Sequence, residues 1–395
     1  MKSLVAVGVY QPAWQDGRKR RTLGPDEDVA TLAVSAGDLL HAHLDKVKRV
    51  ILITRVPDAL LGTISEVVLE GLGLKSNTPV EERLGGAPSV LDALLSGADG
   101  TLVIAIDPVA PAGAGAVLVG KGSISLEFLG AERFTMPVRT RLSSELSDRV
   151  YDDPRLLRER GWRRAAGSLT TASCTVIAGL TEKESHELSA TFNSAGSAVQ
   201  AAATIFGIAS MIDEHGAGSL VALEGGLGIA ATVNVSPGAT VERDLPAPLN
   251  APASWTPRAP GSIPVSVAAY ERAFEAKVGF KVGVCECGQS SYPPRIRCTN
   301  CGLTGGTRLV PMTKDGVIYS LVRIHTPVPG RYVPYSLALV EVEDRGIRAL
   351  VHVTDDGGTA AIGCKGRLVL RRIAVRDGIS DYGFALRVNG ESCEK

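Results

Sequence analysis

An internal repeat is the feature of this 395-residue chain that most limits its possible folds. Residues 85–120 and 193–235 both run through a small-residue turn, a helix, a Gly-Ala turn, a strand, a Gly-rich turn and a second strand. Two copies of one such unit predict an α/β domain with pseudo-two-fold symmetry. Short apolar runs at 49–54, 101–106 and 219–224 alternate with helical patterns, which is typical of βαβ units around a largely buried sheet.

An acidic segment precedes the first predicted helix. In "PDEDVATLAVSAGDLLHAHL" the acids fall in the predicted first turn, where carboxylates interact favourably with the helix dipole. An apolar stripe follows and predicts one buried helix face. The stripe consists of Val29, Leu32, Ala33, Ala36 and Leu40.

A proline-rich stretch divides the chain. Residues 236–264 contain seven of its 22 prolines, too many for a helix or a central strand. We therefore predict an α/β domain at 1–236, a linker at 237–264, a helix with a cysteine-rich ribbon at 265–305 and a barrel at 306–395. The barrel is predicted from four or five β-rich segments that no helix separates.

Composition excludes several classes of protein. Lys plus Arg and Asp plus Glu are both 42, so no global field attracts nucleic acid or an anionic membrane. The chain has no run of about 18 apolar residues, so we expect no membrane span. Cys174, Cys364 and Cys393 stand apart in the sequence, which favours a reducing cytoplasm over a disulfide framework.

The other four cysteines cluster within seventeen residues and predict a metal site. Their spacing is C-x-C, then C-x-x-C-G, and four thiolates on two tight turns suit the tetrahedral geometry of a structural zinc ion. Gly288 and Gly302 allow the backbone to turn toward the metal. Because the first turn is C-x-C, free thiols or a redox pair stay as the alternative. The predicted ligands are Cys285, Cys287, Cys298 and Cys301.

The C-terminal region resembles a known class of protein. "CECGQSSYPPRIRCTNCG" followed by "GVIYSLVRIHTPVPGRYVPYSLALVEVE" is similar to the zinc-ribbon plus OB-fold proteins that accompany acyl-CoA-transforming enzymes, thiolases above all. The likeness covers roughly residues 262 to 390, and it departs from the pattern at Val284, which stands at the usual cysteine position. It implies an OB-fold barrel, a thiolase-type partner subunit and a coenzyme A ester as a possible ligand.

The N-terminal region resembles the thiolase superfamily, most closely archaeal-type 3-hydroxy-3-methylglutaryl-CoA synthases. The order of "GVYQPAW", "PDEDVATLAVSAG", "GTISEVVLEGLGL", "GAGAVLVG" and "FNSAGSA" carries this likeness over residues 4 to 235. It implies a five-layered α/β/α/β/α fold built from two repeats, and a homo- or hetero-oligomer.

The same resemblance implies that the catalytic residues are lost. The nucleophilic cysteine falls at Gly86, the general-base glutamate at Arg55, and the histidine in the segment 178–180, which reads Ala-Gly-Leu. Asn193 alone keeps a matching side chain, as a possible oxyanion donor. Cys174 lies in an apolar run and is predicted to be packed. We therefore predict no catalytic residue apart from the residual Asn193.

Two basic runs are candidate contacts for the phosphates of coenzyme A, with solvated loops or partner contacts as the alternative. They comprise Arg18, Lys19, Arg20 and Arg21, and Arg158, Arg160, Arg163 and Arg164 with Trp162 as a base-stacking candidate. The histidines are predicted to be surface or barrel residues without an acid/base role. They are His41, His43, His186, His215, His325 and His352.

Three functional hypotheses follow. The first is a non-catalytic acyl-CoA-binding or scaffolding subunit of a thiolase-type complex for acyl transfer, thiolysis or side-chain degradation. The second is a cysteine-independent aldolase acting on a β-hydroxyacyl-CoA through tyrosines. The third is an OB-fold nucleic-acid binder, against which the zero net charge argues. The tyrosines of the second hypothesis are Tyr10, Tyr151, Tyr332 and Tyr335.

Overall fold

The structure is a computed structural model of the chain. It describes residues 1–57, 63–136, 154–169, 174–188, 193–194, 200–214, 216–250, 266–326, 334–343 and 346–389. These residues form two compact units, each discontinuous in sequence. The first comprises Met1–Gln11, Leu39–Leu60 and Pro79–Leu245. The second comprises Pro12–Asp38, Leu61–Thr78 and Pro246–Lys395.

The secondary-structure elements are numbered in chain order. The strands are β1 (Lys2–Tyr10), β2 (Trp14–Gln15), β3 (Arg49–Thr54), β4 (Val80–Leu84), β5 (Thr101–Asp107), β6 (Gly113–Val119), β7 (Ile124–Arg133), β8 (Cys174–Ala178), β9 (Asn193–Ser194), β10 (Gly218–Glu224), β11 (Leu227–Val235), β12 (Val241–Asp244), β13 (Leu249–Asn250), β14 (Lys281–Cys285), β15 (Ser290–Ser291), β16 (Thr307–Pro311), β17 (Asp315–Ile324), β18 (Tyr335–Val342), β19 (Arg348–Thr354), β20 (Lys365–Arg376) and β21 (Ile379–Val388). The helices are α1 (Val29–Asp38), α2 (Ser65–Gly71), α3 (Ala87–Ser96), α4 (Pro154–Leu156), α5 (Arg163–Ala166), α6 (Glu182–Leu188), α7 (Ala203–Asp213) and α8 (Val267–Val278).

The sheet of the first unit shows the repeat directly. Its strand order is β4-β3-β5-β6-β1-β7-β11-β10-β8-β9, with β12 added beside β1. Read inward from the two edges, the halves are β4-β3-β5-β6-β1 and β9-β8-β10-β11-β7, so corresponding strands occupy corresponding places. The halves meet in the middle, where β1 and β7 form an antiparallel pair. In each half one strand pairs in parallel with two neighbours, β3 with β4 and β5, and β8 with β9 and β10.

Both faces of this sheet are covered in the first unit. Helices α3 and α7 share one apolar core with β5, β6, β10 and β11. On the opposite face of β10 and β11, Trp162 and α5 form a second core. Every residue of β5 and β6 is buried, which explains why their sequences read as continuous apolar runs instead of alternating ones.

The second unit contains a closed barrel of order β17-β18-β19-β21-β20 and a three-stranded sheet of order β15-β14-β16. Strand β18 alternates buried and more exposed residues, as a barrel wall requires. Helix α8 begins at the N-cap Ser266, whose hydroxyl accepts a hydrogen bond from the backbone N–H of Ala269. Among the described residues, no helix is long and apolar enough to cross a bilayer.

The predicted fold class is confirmed: a mixed α/β region with two repeats is followed by a cysteine cluster and a strand-rich barrel. The OB-fold assignment of that barrel stays a prediction. The predicted start of α1 differs slightly: the helix begins at Val29, so the acids precede its first turn, and Asp28 caps it by accepting a hydrogen bond from the backbone N–H of Thr31 over 2.9 Å. The isolated position of Cys364 in the sequence favoured a free thiol, but this residue is disulfide-bonded.

Candidate functional sites: a four-cysteine metal centre and the N-terminus of helix α3

The four clustered cysteines come together in the second unit. Cys285 ends β14, and its Sγ atom lies 3.7 Å from that of Cys301. The Sγ atoms of Cys287 and Cys298 are 3.6 Å apart, and all four sulfurs lie within 4.8 Å of one another. The C-x-C spacing therefore brings both of its thiols to the cluster, although Val284 stands at the usual ligand position.

Two glycine turns shape the cysteine cluster. Gly288 has φ of +87° and Gly302 has φ of +75°, values that are costly for residues with a Cβ atom. The backbone N–H of Gly288 donates to the carbonyl of Cys285, and that of Gly302 donates to the carbonyl of Cys298. Backbone N–H groups of Cys301 and Asn300 lower the pKa of the Cys298 thiol to about 6. This turn therefore stabilises a thiolate before any metal binds.

The sulfur geometry fits a zinc ion. A tetrahedral site with Zn–S bonds of about 2.3 Å has sulfur–sulfur edges of about 3.8 Å, close to the two distances above. Those distances are far longer than a disulfide bond of about 2.05 Å, and the four thiols are unbonded to one another. Four thiolates would fill the coordination sphere, so the ion would be structural. This favours the metal site over the redox pair.

A carboxylate occupies the position predicted for the nucleophile. Gly86 is the N-cap of α3, and its backbone N–H donates to Oε2 of Glu224 over 2.9 Å. Glu224 also forms an ion pair with Arg55. A Cβ atom added at Gly86 would lie 2.8 Å from the same Oε2, so Glu224 fills the space that a larger side chain would need. The residues predicted as the nucleophile and base positions thus meet at one acid.

The second repeat contains a matching arrangement. Asp107 ends β5 and accepts hydrogen bonds from the backbone N–H groups of Ala201 (2.9 Å) and Ala202 (3.1 Å), just before α7. Glu224 ends β10, the equivalent strand. Each repeat therefore supplies the carboxylate that binds at the helix N-terminus of the other, which the helix dipole favours. Burial raises the pKa of Asp107 to about 7, while those N–H groups and Arg55 oppose the rise.

The segment predicted to correspond to the histidine also reaches this place. Ala178 is buried, and a Cβ atom at Gly179 would lie 3.1 Å from that of Ala87, the first residue of α3. Gly179 follows β8 as Arg55 follows β3, so the two positions are equivalent in the repeats. The Thr204 hydroxyl of α7 donates to the carbonyl of Ala87 over 2.8 Å. The side chains of Asn193 and Cys174 lie outside the described residues.

The site therefore holds paired charges and no nucleophile among its described side chains. Sequence reasoning missed Glu224 and Asp107. The signal was present, because each is the acid that ends an apolar strand at the same point of the repeat, in "TLVIAID" and "SLVALE".

The first basic run is engaged within its own unit. Arg20 pairs with Asp16 over 2.7 Å, and Arg21 donates to the carbonyls of Pro12, Ala13 and Pro246. Arg18 and Lys19 are exposed. This run is therefore largely a structural turn.

The second basic run is similarly engaged. Arg163 lies 3.4 Å from Glu187, and Arg164 lies over the Phe134 ring at 4.1 Å. Trp162 is 4% exposed, so the expectation that it stacks on a base is wrong.

Two of the four candidate tyrosines are described. Tyr10 is fully buried in β1, and the Tyr335 ring in β18 packs against the His352 ring at a centroid distance of 5.5 Å. Tyr151, Tyr332 and His215 lie outside the described residues. His41, His186 and His325 are exposed, as predicted.

Comparison with solved structures gives distant matches. The HMG synthase of the curacin biosynthetic pathway is 18% identical, with 60% of this chain and 81% of that chain covered and a TM-score of 0.46. PksG, an HMG-CoA synthase from Bacillus subtilis, is 16% identical, with 60% of this chain and 80% of that chain covered and a TM-score of 0.45. The Ltp2-ChsH2(DUF35) aldolase is 23% identical, with 32% of this chain and 97% of that chain covered and a TM-score of 0.26. These TM-scores are below 0.5, so the fold described above rests on the chain's own topology.

No protein-family profile matches the chain. A curated protein does: the "DUF35 domain-containing scaffold protein" of Methanothermobacter thermautotrophicus is 31% identical over 107 residues, which are 26% of this chain and 80% of that protein. The match covers most of the relative. The chain therefore belongs to the DUF35-domain family.

Proposed function

We propose that this chain is a non-catalytic subunit that scaffolds a thiolase-type acyl-CoA complex, and that the acyl-transfer chemistry takes place on a partner chain. One observation carries the proposal. The helix N-terminus at which a nucleophilic thiol would belong binds the carboxylate of Glu224 instead.

The physical reason lies in how a thiol is activated. A helix N-terminus and a nearby cation lower a cysteine pKa because both stabilise the thiolate. Here the N–H of Gly86 and the guanidinium of Arg55 are both used by Glu224. Restoring the nucleophile would require a thiol and also the removal of this acid. The curated relative is named a scaffold protein, which supports the same conclusion.

The second part of the proposal is that this chain binds an acyl-CoA. A cleft of about 350 Å³ lies beside the first turn of α3, within the size range of small-molecule sites. Leu84, Pro88 and Ile229 give it apolar walls. Arg83 and Arg133 also line it, together with Glu81 and Asp92, which both pair with Arg83. An acyl chain would suit the apolar walls, and a phosphate would suit Arg133. We propose this cleft as the first place to test for a coenzyme A ester.

Reconstitution tests the scaffolding role. The purified chain should turn over no acyl-CoA by itself, and a thiolase-type chain that co-purifies with it from the native host should lose activity when it is withdrawn. Turnover by the purified chain alone, or full activity of the co-purified enzyme without it, would refute the proposal.

A pair of variants tests the reason for inactivity. The thiol of Gly86→Cys should react slowly with iodoacetamide at neutral pH, because Glu224 opposes the thiolate. Gly86→Cys/Glu224→Ala should react about tenfold faster, which corresponds to a drop of about one pKa unit in that thiol. Equal rates would show that Glu224 does not block the position. The exposed Cys287 and Cys301 require zinc-loaded protein and a Glu224→Ala control.

A further inference from the structure

A cluster in the second unit, buried except for part of the Asp26 side chain, which is 21% exposed, contains more negative than positive charge. Arg371 of β20 has no exposed side-chain surface. Its Nη2 atom lies 2.9 Å from Oδ2 of Asp355 and 3.3 Å from Oε1 of Glu27, and its Nε atom lies 3.8 Å from Oδ1 of Asp26. Three carboxylates thus surround one guanidinium. Such an excess of charge is costly to bury.

Two carboxylate oxygens in this cluster have no hydrogen-bond donor among the described residues. They are Oδ1 of Asp26 and Oδ1 of Asp355, and both are buried. Glu27, by contrast, accepts a hydrogen bond from the backbone N–H of Gly24 over 2.7 Å. A buried carboxylate oxygen without a donor is unfavourable, and one proton on Asp26 would protonate its unpartnered carboxyl group and reduce the excess negative charge of the cluster.

The neighbouring charged groups are committed elsewhere. Arg372, also on β20, lies 3.6 Å from Asp28, and Tyr382 of β21 donates to the same carboxylate over 2.8 Å. The other group beside Asp26 is Thr354, which ends β19 and bonds its carboxylate. The backbone N–H of Arg372 donates to the carbonyl of Asp26, which joins this segment to the barrel.

Helix α1 follows the segment 24–28, and its C-terminal end contacts the barrel through more positive than negative charge. Asp38, the last residue of α1, lies 2.6 Å from Lys314 and 3.0 Å from Arg367. Here two cations hold one carboxylate. The two ends of α1 therefore meet the barrel through an acid-rich contact and a base-rich contact.

We infer that the acid-rich end is a pH-sensitive clasp, in which Asp26 keeps a proton while the segment 24–28 is docked on the barrel. When this proton is lost, repulsion between the carboxylates loosens the N-terminal end of α1. The base-rich end at Asp38 stays closed over the same pH range, so the helix is released from one end only.

The titration behaviour of both ends agrees with this geometry. Burial raises the pKa of Asp26 to about 6, with Arg371 opposing and Asp355 adding to the rise. The docked segment is thus most stable below the ordinary carboxyl pKa, and that stability is lost as pH rises through about 6. Burial opposes ionisation of Asp38 too, but Lys314 and Arg367 hold its pKa below the ordinary value, so its contribution is lost only in acid.

Hydrogen exchange of the full-length chain, read by mass spectrometry, tests the clasp. The protection factors of the amides in residues 24–33, which correct for intrinsic exchange, should fall about tenfold between about pH 5 and about pH 8. Asp26→Asn mimics the protonated acid and should abolish this difference, and Asp355→Asn should do the same independently. Asp38→Asn, the matched control, should leave the pH dependence of residues 24–33 intact.

Two results would overturn the inference. One is protection of residues 24–33 that does not change with pH in the unaltered chain. The other is an unchanged pH dependence in both Asp26→Asn and Asp355→Asn, with circular dichroism showing that the variants are folded.

Discussion

At the scale of single residues, Asp107 and Glu224 do the same work in the two repeats. Each ends a buried strand and accepts backbone N–H groups at the start of the helix from the other repeat. Their surroundings differ, since Asp107 is almost fully buried whereas Glu224 is partly exposed beside Arg55. The two equivalent sites of the repeat are therefore one buried cap and one partly exposed ion pair.

A prediction at this scale concerns Thr204, whose hydroxyl joins the two helices. Thr204→Val keeps the side-chain shape and removes the buried hydrogen bond to the carbonyl of Ala87, so it should lower the free energy of unfolding by about 1 kcal/mol. Urea denaturation measures this loss. Thr232→Val, at a partly buried position in β11, is the matched control and should change little. Equal losses in the two variants would contradict the assigned role of Thr204.

The sequence located this site better than it identified its chemistry. The resemblance placed Gly86, Arg55 and the segment 178–180 in one active-site position, and the structure brings them to the start of α3. It did not reveal Glu224, because the contact joins residues 138 positions apart and depends on how β10 packs against α3. The acid was visible in the repeat, but its partner was not.

At the scale of elements, the cysteine ribbon depends on two turns and three short strands. Strand β14 carries Cys285 at its end and pairs with β15 and β16, so the first pair of ligands is fixed at the end of the central strand. The second pair is fixed by the turn that ends at Gly302. Val282 and Val284 bury one part of this small sheet, and the metal is expected to stabilise the two turns outside it.

Removal of a zinc ligand tests this expectation. The unaltered chain should bind about one zinc ion, and Cys298→Ser should lose it, because a structural site needs all four thiolates. Elemental analysis measures the metal, and hydrogen exchange of residues 281–311 should show the ribbon opening. Cys174→Ser, outside the cluster, should retain the zinc. A zinc-loaded Cys298→Ser chain, or an unaltered chain that binds none, would refute the site.

The sequence pattern predicts helix α1 itself but not the barrel contacts of the acids that precede it. The apolar pattern predicted a helix, and one is present at Val29–Asp38. Asp28 caps the helix locally, since its Oδ1 accepts from the backbone N–H of Thr31. The acids Asp26, Glu27 and Asp28 also bind Arg371, Arg372 and Tyr382 of the barrel. Sequence patterning describes local preferences, so it could predict the cap but not these distant contacts.

At the scale of the whole molecule, the balance of charge limits the partners. With 42 basic and 42 acidic residues, the chain lacks the field that attracts polyanions from a distance. The basic runs do not alter this, because Arg20, Arg163 and Arg164 are already paired or stacked within their unit. A neutral partner surface, or a small anion bound locally, fits this chain better than nucleic acid.

Fluorescence anisotropy with a labelled single-stranded oligonucleotide checks this limit. No saturable binding is expected even at low salt, where counterion release most favours an electrostatic complex. A basic single-strand-binding protein serves as the positive control for the probe. Saturable, salt-dependent binding by this chain would revive the nucleic-acid hypothesis for the barrel.

The sequence by itself determined the elements and their repetition. The runs at 49–54, 101–106 and 219–224 became β3, β5 and β10, because short continuous apolar runs suit strands that are buried on both faces of a sheet. The four cysteines came together because their spacing and glycines leave the two turns few other conformations. These outcomes depend on short-range rules that a linear pattern contains.

Only the tertiary structure decided which charges meet. Glu224 binds at Gly86 across 138 positions, and Tyr382 binds Asp28 across 354. Burial sets the strength of such contacts, and burial is a property of the packed fold. For that reason the loss of the nucleophile was readable from the sequence, whereas the acid that replaced it and the clasp on the barrel became visible only in three dimensions.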